Sequence, residues 1–130
     1  MVWRLRKRVE KEYRGQVFFY EQWVEPESKS GIIFMNGIDR KSGKMIYVVE
    51  GYGIGTVDPE TFKEIAEGAP IEHFRTESYE EARWILEMLK EHNYRLAKGE
   101  DPEKLKKEFK ELYEKAYRFD EEAGTATSQL

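Results

Sequence analysis

Basic residues are concentrated in the first fourteen positions of the chain. Six Arg or Lys residues stand there against two Glu residues, so the segment carries a net charge of +4 while the whole chain carries −4. On a β-strand, Arg4, Arg6 and Arg8 would project from one face at intervals of about 6.6 Å, which is close to the phosphate spacing of a nucleic-acid strand. Because the planar guanidinium group matches phosphate geometry, the segment is a candidate site for a polyanion.

Aromatic side chains follow the basic segment and could stack on nucleobases. The candidate nucleic-acid site therefore consists of Arg4, Arg6, Arg8, Arg14, Tyr20 and Trp23. An isoelectric point near 5.4 argues against this hypothesis, since most nucleic-acid-binding domains are basic. The alternative is that the arginines pair with acidic side chains of their own chain or of another chain. Nucleic acid is accordingly the second hypothesis for the partner.

A second candidate surface lies on the predicted C-terminal helices. Trp84 and Met88 are four residues apart on one helix, and Tyr113 and Tyr117 are four apart on the next. These pairs widen each apolar face beyond what one helix–helix seam needs. The extra apolar surface could cover a sheet, or it could contact a second protomer, where aromatic residues and Met are enriched. This surface, or an open sheet edge, predicts a homo-oligomer.

Patterns typical of enzymes and metal sites are missing from the sequence. His73 and His92 do not have the helical spacing of a zinc site, and the chain has no cysteine, which excludes disulfides and thiolate sites. The glycine cluster from Gly51 to Gly55 matches neither the dinucleotide fingerprint nor the Walker loop, and it favours a strand end where backbones come close. We therefore predict no catalytic residues, no metal ligands and no small-molecule cofactor.

The glycine cluster also resembles part of the WGR domain. The resemblance covers Gly51 to Thr56, followed by Phe74 and by a helix start at Ser78 to Ala82. It implies a sheet followed by a helix and an association with nucleic acid. Tyr52 occupies the position of the signature Trp and no Arg follows Gly53, so no site residues are carried over.

Hydrophobic periodicity predicts the strands that would carry these side chains. Four runs are typical of β-strands: residues 16–24, 31–38, 44–49 and 71–75. The segment 2–14 fits a strand with Trp3, Leu5 and Val9 on one face, and it also fits a helix. The helix would align an apolar stripe of Val2, Leu5, Val9 and Tyr13. We favour the strand, because it would form a long hairpin with the strand that follows.

Capping signals predict the helices. A short helix is predicted over residues 59–67, between a cap at Asp58 and a stop at Gly68, with Phe62, Ile65 and Ala66 on its buried face. A capping box at Ser78–Glu81 begins a long helix, which Gly99 ends.

A further helix begins at Asp101 and Pro102. Its apolar residues follow a 4-3-4-3 spacing typical of a packing seam: Leu105, Phe109, Leu112, Ala116 and Phe119. Since the link to the preceding helix is short, the two helices are predicted to form an antiparallel hairpin.

The predicted fold is therefore α+β. It comprises an antiparallel β-meander of about four to five strands, a short helix, and a C-terminal antiparallel helical hairpin packed on one sheet face. One domain spans residues 1–120, with residues 1–14 as its basic N-terminal segment and residues 121–130 as a disordered tail. No apolar run approaches the ~20 residues of a membrane helix, and no apolar stretch follows the basic N-terminus as in a secretory signal. We expect a cytoplasmic protein with no membrane partner.

Composition adds an expectation about stability. Charged residues make up 37% of the chain, while Asn occurs twice, Gln three times and Cys never. This pattern is typical of thermophilic proteins. The sequence as a whole favours a non-catalytic binding module that acts as a homo-oligomer, with nucleic-acid binding as the alternative.

Overall fold

A computed structural model describes residues 2–65 and 71–118. Six antiparallel strands form one sheet in chain order: β1 (Arg4–Tyr13), β2 (Gln16–Glu25), β3 (Ser30–Ile38), β4 (Met45–Tyr52), β5 (Ile71–Thr76) and the two-residue β6 (Tyr117–Arg118). The helices are α1 (Tyr79–Ala97), α2 (Pro102–Glu108) and α3 (Lys110–Lys115). The predicted α+β meander is confirmed, and so is the strand in the ambiguous N-terminal segment. No helix in these residues is long and apolar enough to cross a membrane.

The core lies between the sheet and the helices. Ile32 and Phe34 of β3 alternate with residues that point away, and both belong to one buried cluster with Leu86 and Leu89 of α1. A Cβ atom added to Gly51 would lie 2.9 Å from Leu89 Cδ2, so glycine at this point of β4 lets α1 approach the sheet closely. We call the side of the sheet that carries this cluster the helix face, and the other side the open face.

The predicted short helix over residues 59–67 is wrong in its described part. Residues 59–61 form a turn, Glu64 forms an isolated β-bridge with Val57, and Phe62 has a φ of 62°, which a right-handed helix cannot accommodate. Asp58 does cap the local backbone, since its Oδ1 accepts from the amides of Glu60 and Thr61. Ile65 is exposed rather than buried, whereas the predicted Ala66 lies outside the described residues.

Packing against the open face accounts for this loop. Val57 is fully buried, and a Cβ atom on Gly31 would lie 2.9 Å from Phe62 Cε2. The ring of Phe62 also meets Tyr52 edge to face, with 5.9 Å between centroids. The loop 53–65 therefore covers one end of the open face, and side-chain packing replaces the helix that local propensity favours.

The helix predicted to begin at Asp101 is shorter than expected and broken in two. Phe109 has φ −102° and ψ 35° and separates α2 from α3, although Leu105, Phe109 and Leu112 are all buried as the spacing predicts. The chain leaves α3 at Ala116 and pairs with β5, where we predicted that the helix continued to Phe119. Phe119 and the predicted disordered tail, residues 121–130, lie outside the described residues.

Helix starts follow the sequence signals closely. Ser78 Oγ accepts from the amide of Glu81 at 3.1 Å, and Asp101 Oδ1 accepts from the amide of Glu103 at 3.2 Å. Pro102 occupies the first turn of α2, where its missing N–H costs nothing. Local hydrogen bonding thus determines where α1 and α2 begin.

Candidate functional site

The first hairpin carries half of the exposed large apolar side chains in the described residues. Ten such side chains are exposed, and five of them lie on or beside β1 and β2: Val2, Leu5, Val9, Tyr13 and Val17. β1 is also an edge strand, because its only described neighbour is β2. An edge strand presents unpaired backbone N–H and C=O groups that another chain can bind.

A β-bulge divides β1 into two parts. Leu5 lies opposite Trp23 and Lys7 opposite Gln22, so Arg6 is an extra residue without an opposite partner. Directly opposite residues of antiparallel strands share a face. Arg8, opposite Glu21, therefore lies on the helix face.

Arg4 and Arg6 both make their contacts on the open face. Our prediction that Arg4, Arg6 and Arg8 line one face is therefore wrong, because the pattern of the sequence contains no sign of the bulge. The prediction that Trp3, Leu5 and Val9 share a face fails for the same reason: Leu5 is on the helix face, and Val9, opposite Tyr20, is on the open face.

Beyond the bulge, the alternation of side chains along β1 separates its charges between the two faces. Lys7 and Lys11 lie on the open face on either side of Val9, opposite Gln22 and Phe18. Glu10 and Glu12 lie on the helix face with Arg8. Within the described residues Lys7 and Lys11 form no ion pair, so the open face of β1 beyond the bulge is cationic.

The open-face arginines are held by the loop 53–65. Arg4 Nη2 lies 3.4 Å from Glu60 Oε1, and Arg6 Nε donates to the Glu60 carbonyl oxygen at 2.8 Å. Arg6 also donates to the side-chain oxygen of Gln22. Arg4 thus pairs with an acidic side chain of its own chain, as the alternative interpretation expected, whereas Arg6 binds a backbone carbonyl and an amide.

Arg8 belongs to a cluster on the helix face. Its guanidinium group binds the Glu21 carboxylate, and Trp23 Nε1 donates to the same carboxylate at 2.9 Å. Lys90 Nζ of α1 lies 3.4 Å from the centroid of the Trp23 ring, and the Lys90 carbonyl accepts from Trp3 Nε1 at 2.8 Å. We call Trp3, Arg8, Glu21, Trp23 and Lys90 the Trp23 cluster.

The Trp23 cluster changes the assignment of Trp23. Its ring lies on the helix face rather than among the open-face aromatics, and the Lys90 ammonium group covers one side of it. A cation at this distance from a ring is attracted by the ring quadrupole. The cluster fastens α1 to the inner side of the hairpin, and it leaves that side of Trp23 unavailable for stacking on a nucleobase.

Tyr20 and Arg14 are accessible in different ways. Tyr20 lies on the open face between Val9 and Met35, and its hydroxyl oxygen accepts from Gln22 Nε2 at 3.1 Å. Arg14 is in the β1–β2 turn with a φ of 52°, and its guanidinium carbon lies 5.3 Å from the centroid of the Tyr13 ring. Of the six predicted residues, Tyr20 is therefore the one beside the lysines of the open face.

The four residues of the second candidate surface do not form one exposed patch. Trp84 is 38% exposed, but Met88 packs against the core, and the Tyr113 hydroxyl oxygen lies 2.6 Å from His92 Nε2. Tyr117 belongs to β6, and its side chain lies outside the described residues. Of the three residues whose side chains are described, Trp84 keeps the exposed apolar character that the prediction assigned to the group.

The histidines occupy buried positions in separate parts of the fold. His92 Nδ1 lies 2.8 Å from Asn93 Oδ1, and His73 Nδ1 lies 3.3 Å from Glu50 Oε1. Across residues 2–65 and 71–118, no group of three or more His, Asp or Glu side chains is placed to hold a metal ion. The indentation beside His92 has no room for a water molecule, whereas ordinary ligand pockets hold about 300 Å³ or more.

Replacing Lys90 with methionine should change how stability depends on alkaline pH. Burial lowers the pKa of the Lys90 ammonium group below its ordinary value of 10.5, although Glu87 opposes the shift. The unfolded chain holds this proton more tightly, so the unfavourable contribution is complete below the folded-state pKa and declines as pH rises through it towards 10.5. Urea unfolding from neutral pH to about 10.5 should show the wild type gaining stability relative to Lys90→Met. A difference that stays constant with pH would contradict this prediction.

Two buried charges at this site could not be predicted from the sequence. Lys90 is buried at 5% exposure although it interrupts the apolar spacing of α1, and Glu21 is buried at 5% within a strand of aromatic residues. Each charge is tolerated because the other elements supply partners for it. The signal that was available, an acidic residue between Tyr20 and Trp23, becomes meaningful only once the pairing of Glu21 with Arg8 is known.

Comparisons with known proteins give no match. No protein-family model, no curated protein and no solved structure matches this chain.

Proposed function

We propose that the protein is a non-catalytic binding module that acts as a homo-oligomer through its first hairpin. The observation that carries the proposal is the outer edge of β1. This ten-residue strand pairs with β2 on one side, has no described strand on its other side, and carries exposed apolar side chains on both faces. Pairing such an edge with another strand supplies main-chain hydrogen bonds and removes apolar surface from water.

The Trp23 cluster supports this proposal by holding β1 in place. Arg8 binds Glu21 of β2, and Trp3 binds the carbonyl of Lys90 in α1, so the edge strand is anchored both to its neighbour and to the helical layer. A strand that is already ordered loses less conformational entropy when it binds.

We take the helical layer itself to be an antiparallel hairpin of α1 against α2 and α3, supported by the 3.3 Å ion pair between Lys115 and Glu81.

The mass of the protein in solution tests the proposal. Sedimentation velocity of the wild type over a concentration series should show a species of about twice the 15.5 kDa chain mass. Trp84→Glu should retain this species, because Trp84 lies on α1 and not on the first hairpin. A wild type that stays monomeric at the highest attainable concentration would overturn the proposal. Loss of the dimer in Trp84→Glu alone would move the interface to the helices.

A second candidate function is binding of single-stranded nucleic acid on the open face. The observation that favours it is the separation of charge along β1 beyond the bulge, which leaves Lys7 and Lys11 beside Phe18 and Tyr20 with no acidic side chain of β1 on that face. Cations that follow a phosphate backbone, together with rings for stacking, are the usual elements of such sites. The residue set differs from the predicted one, since Trp23 and Arg8 belong to the helix face.

Fluorescence anisotropy with a labelled single strand tests this second candidate. Lys7→Glu with Lys11→Glu should weaken binding and reduce the dependence of affinity on salt, because about two fewer phosphates are neutralised. Lys110→Glu is the matched control, since the Lys110 side chain is 78% exposed on α3 and far from β1 along the chain. Absence of binding by the wild type at about 50 mM salt would exclude this function.

A further inference from the structure

We propose that two copies of the chain pair β1 with β1 in antiparallel orientation about a two-fold axis at Val9. The pairing would join the two sheets into one continuous sheet with both helical layers on the same side. This inference rests on the proposed homo-oligomer, and it assigns the residue on which the interface is centred.

The geometry of β1 restricts where such an axis can lie. A two-fold axis perpendicular to the sheet keeps the open faces of both copies on one side, and directly opposite side chains must share a face. The axis must therefore lie midway between the two copies of one residue, which are then directly opposite each other. The bulge before Lys7 and the turn after Tyr13 limit the regular stretch to seven residues, Lys7 to Tyr13. Only Val9, Glu10 and Lys11 have two regular residues on each side.

Charge complementarity distinguishes these three positions. An axis at Lys11 places Lys11 against the partner's Lys11 and puts Glu10 opposite the partner's Glu12. Like charges directly opposite each other destabilise a strand pair. Repulsion in the centre and on both sides excludes this register.

An axis at Glu10 gives Arg8 an acidic neighbour, the partner's Glu12, but it places two Glu10 carboxylates against each other at the centre. It also leaves Val9 opposite the partner's Lys11. An exposed apolar residue would then gain no apolar contact from the interface.

An axis at Val9 places two valines in contact and puts Arg8 opposite the partner's Glu10 twice, once on each side. Val9 is 48% exposed in the single chain, so the contact buries apolar surface that is otherwise wet. Arg8 binds both Glu21 and Glu10 of its own chain, and its side chain is still 38% exposed. In the pair, each Arg8 would also face the partner's Glu10, so the exposed ion pair within each chain would become part of a four-residue ion-pair network across the axis. The opposing contribution is Lys7 against the partner's Lys11 on the open face, where both ammonium groups stay in water. We therefore centre the interface on Val9.

The test uses Val9→Glu, Val9→Lys and their equimolar mixture, each analysed by sedimentation velocity and native mass spectrometry. Each variant alone should dimerise at least tenfold more weakly than the wild type, because like charges meet at the axis. The mixture should recover a heterodimer, because Glu and Lys are then opposite each other. Val17→Lys is the matched control: Val17 is 47% exposed on β2, away from the outer edge of β1, and the variant should dimerise as the wild type does.

Each alternative outcome has a separate meaning. Stronger dimerisation of Val9→Glu together with weaker dimerisation of Val9→Lys would overturn the register. This result is expected when Val9 lies opposite the partner's Lys11, as it does with the axis at Glu10. Unchanged dimerisation of both variants would overturn the β1 interface while leaving a homo-oligomer formed elsewhere. A monomeric wild type would overturn the proposed function and this inference together. Circular dichroism of the monomeric variants should match that of the wild type, because Val9 is exposed and the pairing of β1 with β2 does not depend on it.

Discussion

Replacing Phe74 with alanine is expected to lower the free energy of unfolding by about 3–5 kcal/mol. Phe74 of β5 is 1% exposed and belongs to the buried cluster that joins the sheet to all three helices. Its ring lies beside His92 of α1 and Leu112 of α3, so alanine would leave a cavity between three elements. Urea unfolding followed by tryptophan fluorescence measures the change.

Tyr13→Ala provides the control for this prediction. Tyr13 is an aromatic residue of similar size that is 54% exposed at the end of β1, so its removal should change stability by no more than about 0.5 kcal/mol. If Phe74→Ala and Tyr13→Ala cost the same, the helices do not pack on the sheet as described.

Glu21→Ala is expected to have the next largest effect, about 2–3 kcal/mol of lost stability. The carboxylate accepts from Arg8 and from Trp23 Nε1, and alanine leaves both donors without it. It also removes negative charge from the neighbourhood of the Lys90 ammonium group, which is itself buried. Because the Arg8 side chain remains partly in water, the expected loss is smaller than for a fully buried ion pair.

Two variants separate the contributions within this cluster. Glu10→Ala removes the other carboxylate bound to Arg8, at an exposed site, and should cost no more than about 0.5 kcal/mol. Glu21→Gln keeps an acceptor for Trp23 but removes the charge, so its stability should fall between those of the wild type and Glu21→Ala. Equal effects of Glu10→Ala and Glu21→Ala would show that burial of Glu21 has no energetic consequence.

The strands and helix starts could be predicted because they follow local rules. β2 is rich in aromatic and β-branched residues, as strands are, and Ser78 and Asp101 cap helices because their side chains reach free amides. Such rules involve neighbours along the chain. They hold here because no tertiary contact opposes them.

The features that could not be predicted depend on contacts between distant residues. The loop around Phe62 has the composition of a short helix, yet its ring packs over Gly31, thirty-one positions earlier. The bulge at Arg6 can be recognised only when β1 is aligned with β2, because it consists of a residue of β1 that has no opposite partner in β2. A single inserted residue then exchanges the faces of every side chain on one part of the strand.

The dependence on contacts between distant residues affected the prediction of the candidate site most. Arg8 and Trp23 were grouped with Tyr20 in one predicted nucleic-acid site, but the register and the contact with Lys90 place them between the sheet and α1. Lys7 was not among the predicted site residues, yet it lies on the open face, where its neighbours include Tyr20. The identities of the residues were informative, and their faces required the register.

The order of the sheet has a consequence during synthesis of the chain. Because the strands lie side by side in chain order, β1 to β4 can pair as soon as each leaves the ribosome. Ile32, Phe34 and Val49 on the helix face are nevertheless covered by α1, which ends at Ala97. At a translation rate of about 5–20 residues per second, the apolar side of the nascent sheet waits for roughly 3–10 s before its cover is made. During that interval the growing chain presents an uncovered sheet face that a ribosome-associated chaperone could shield.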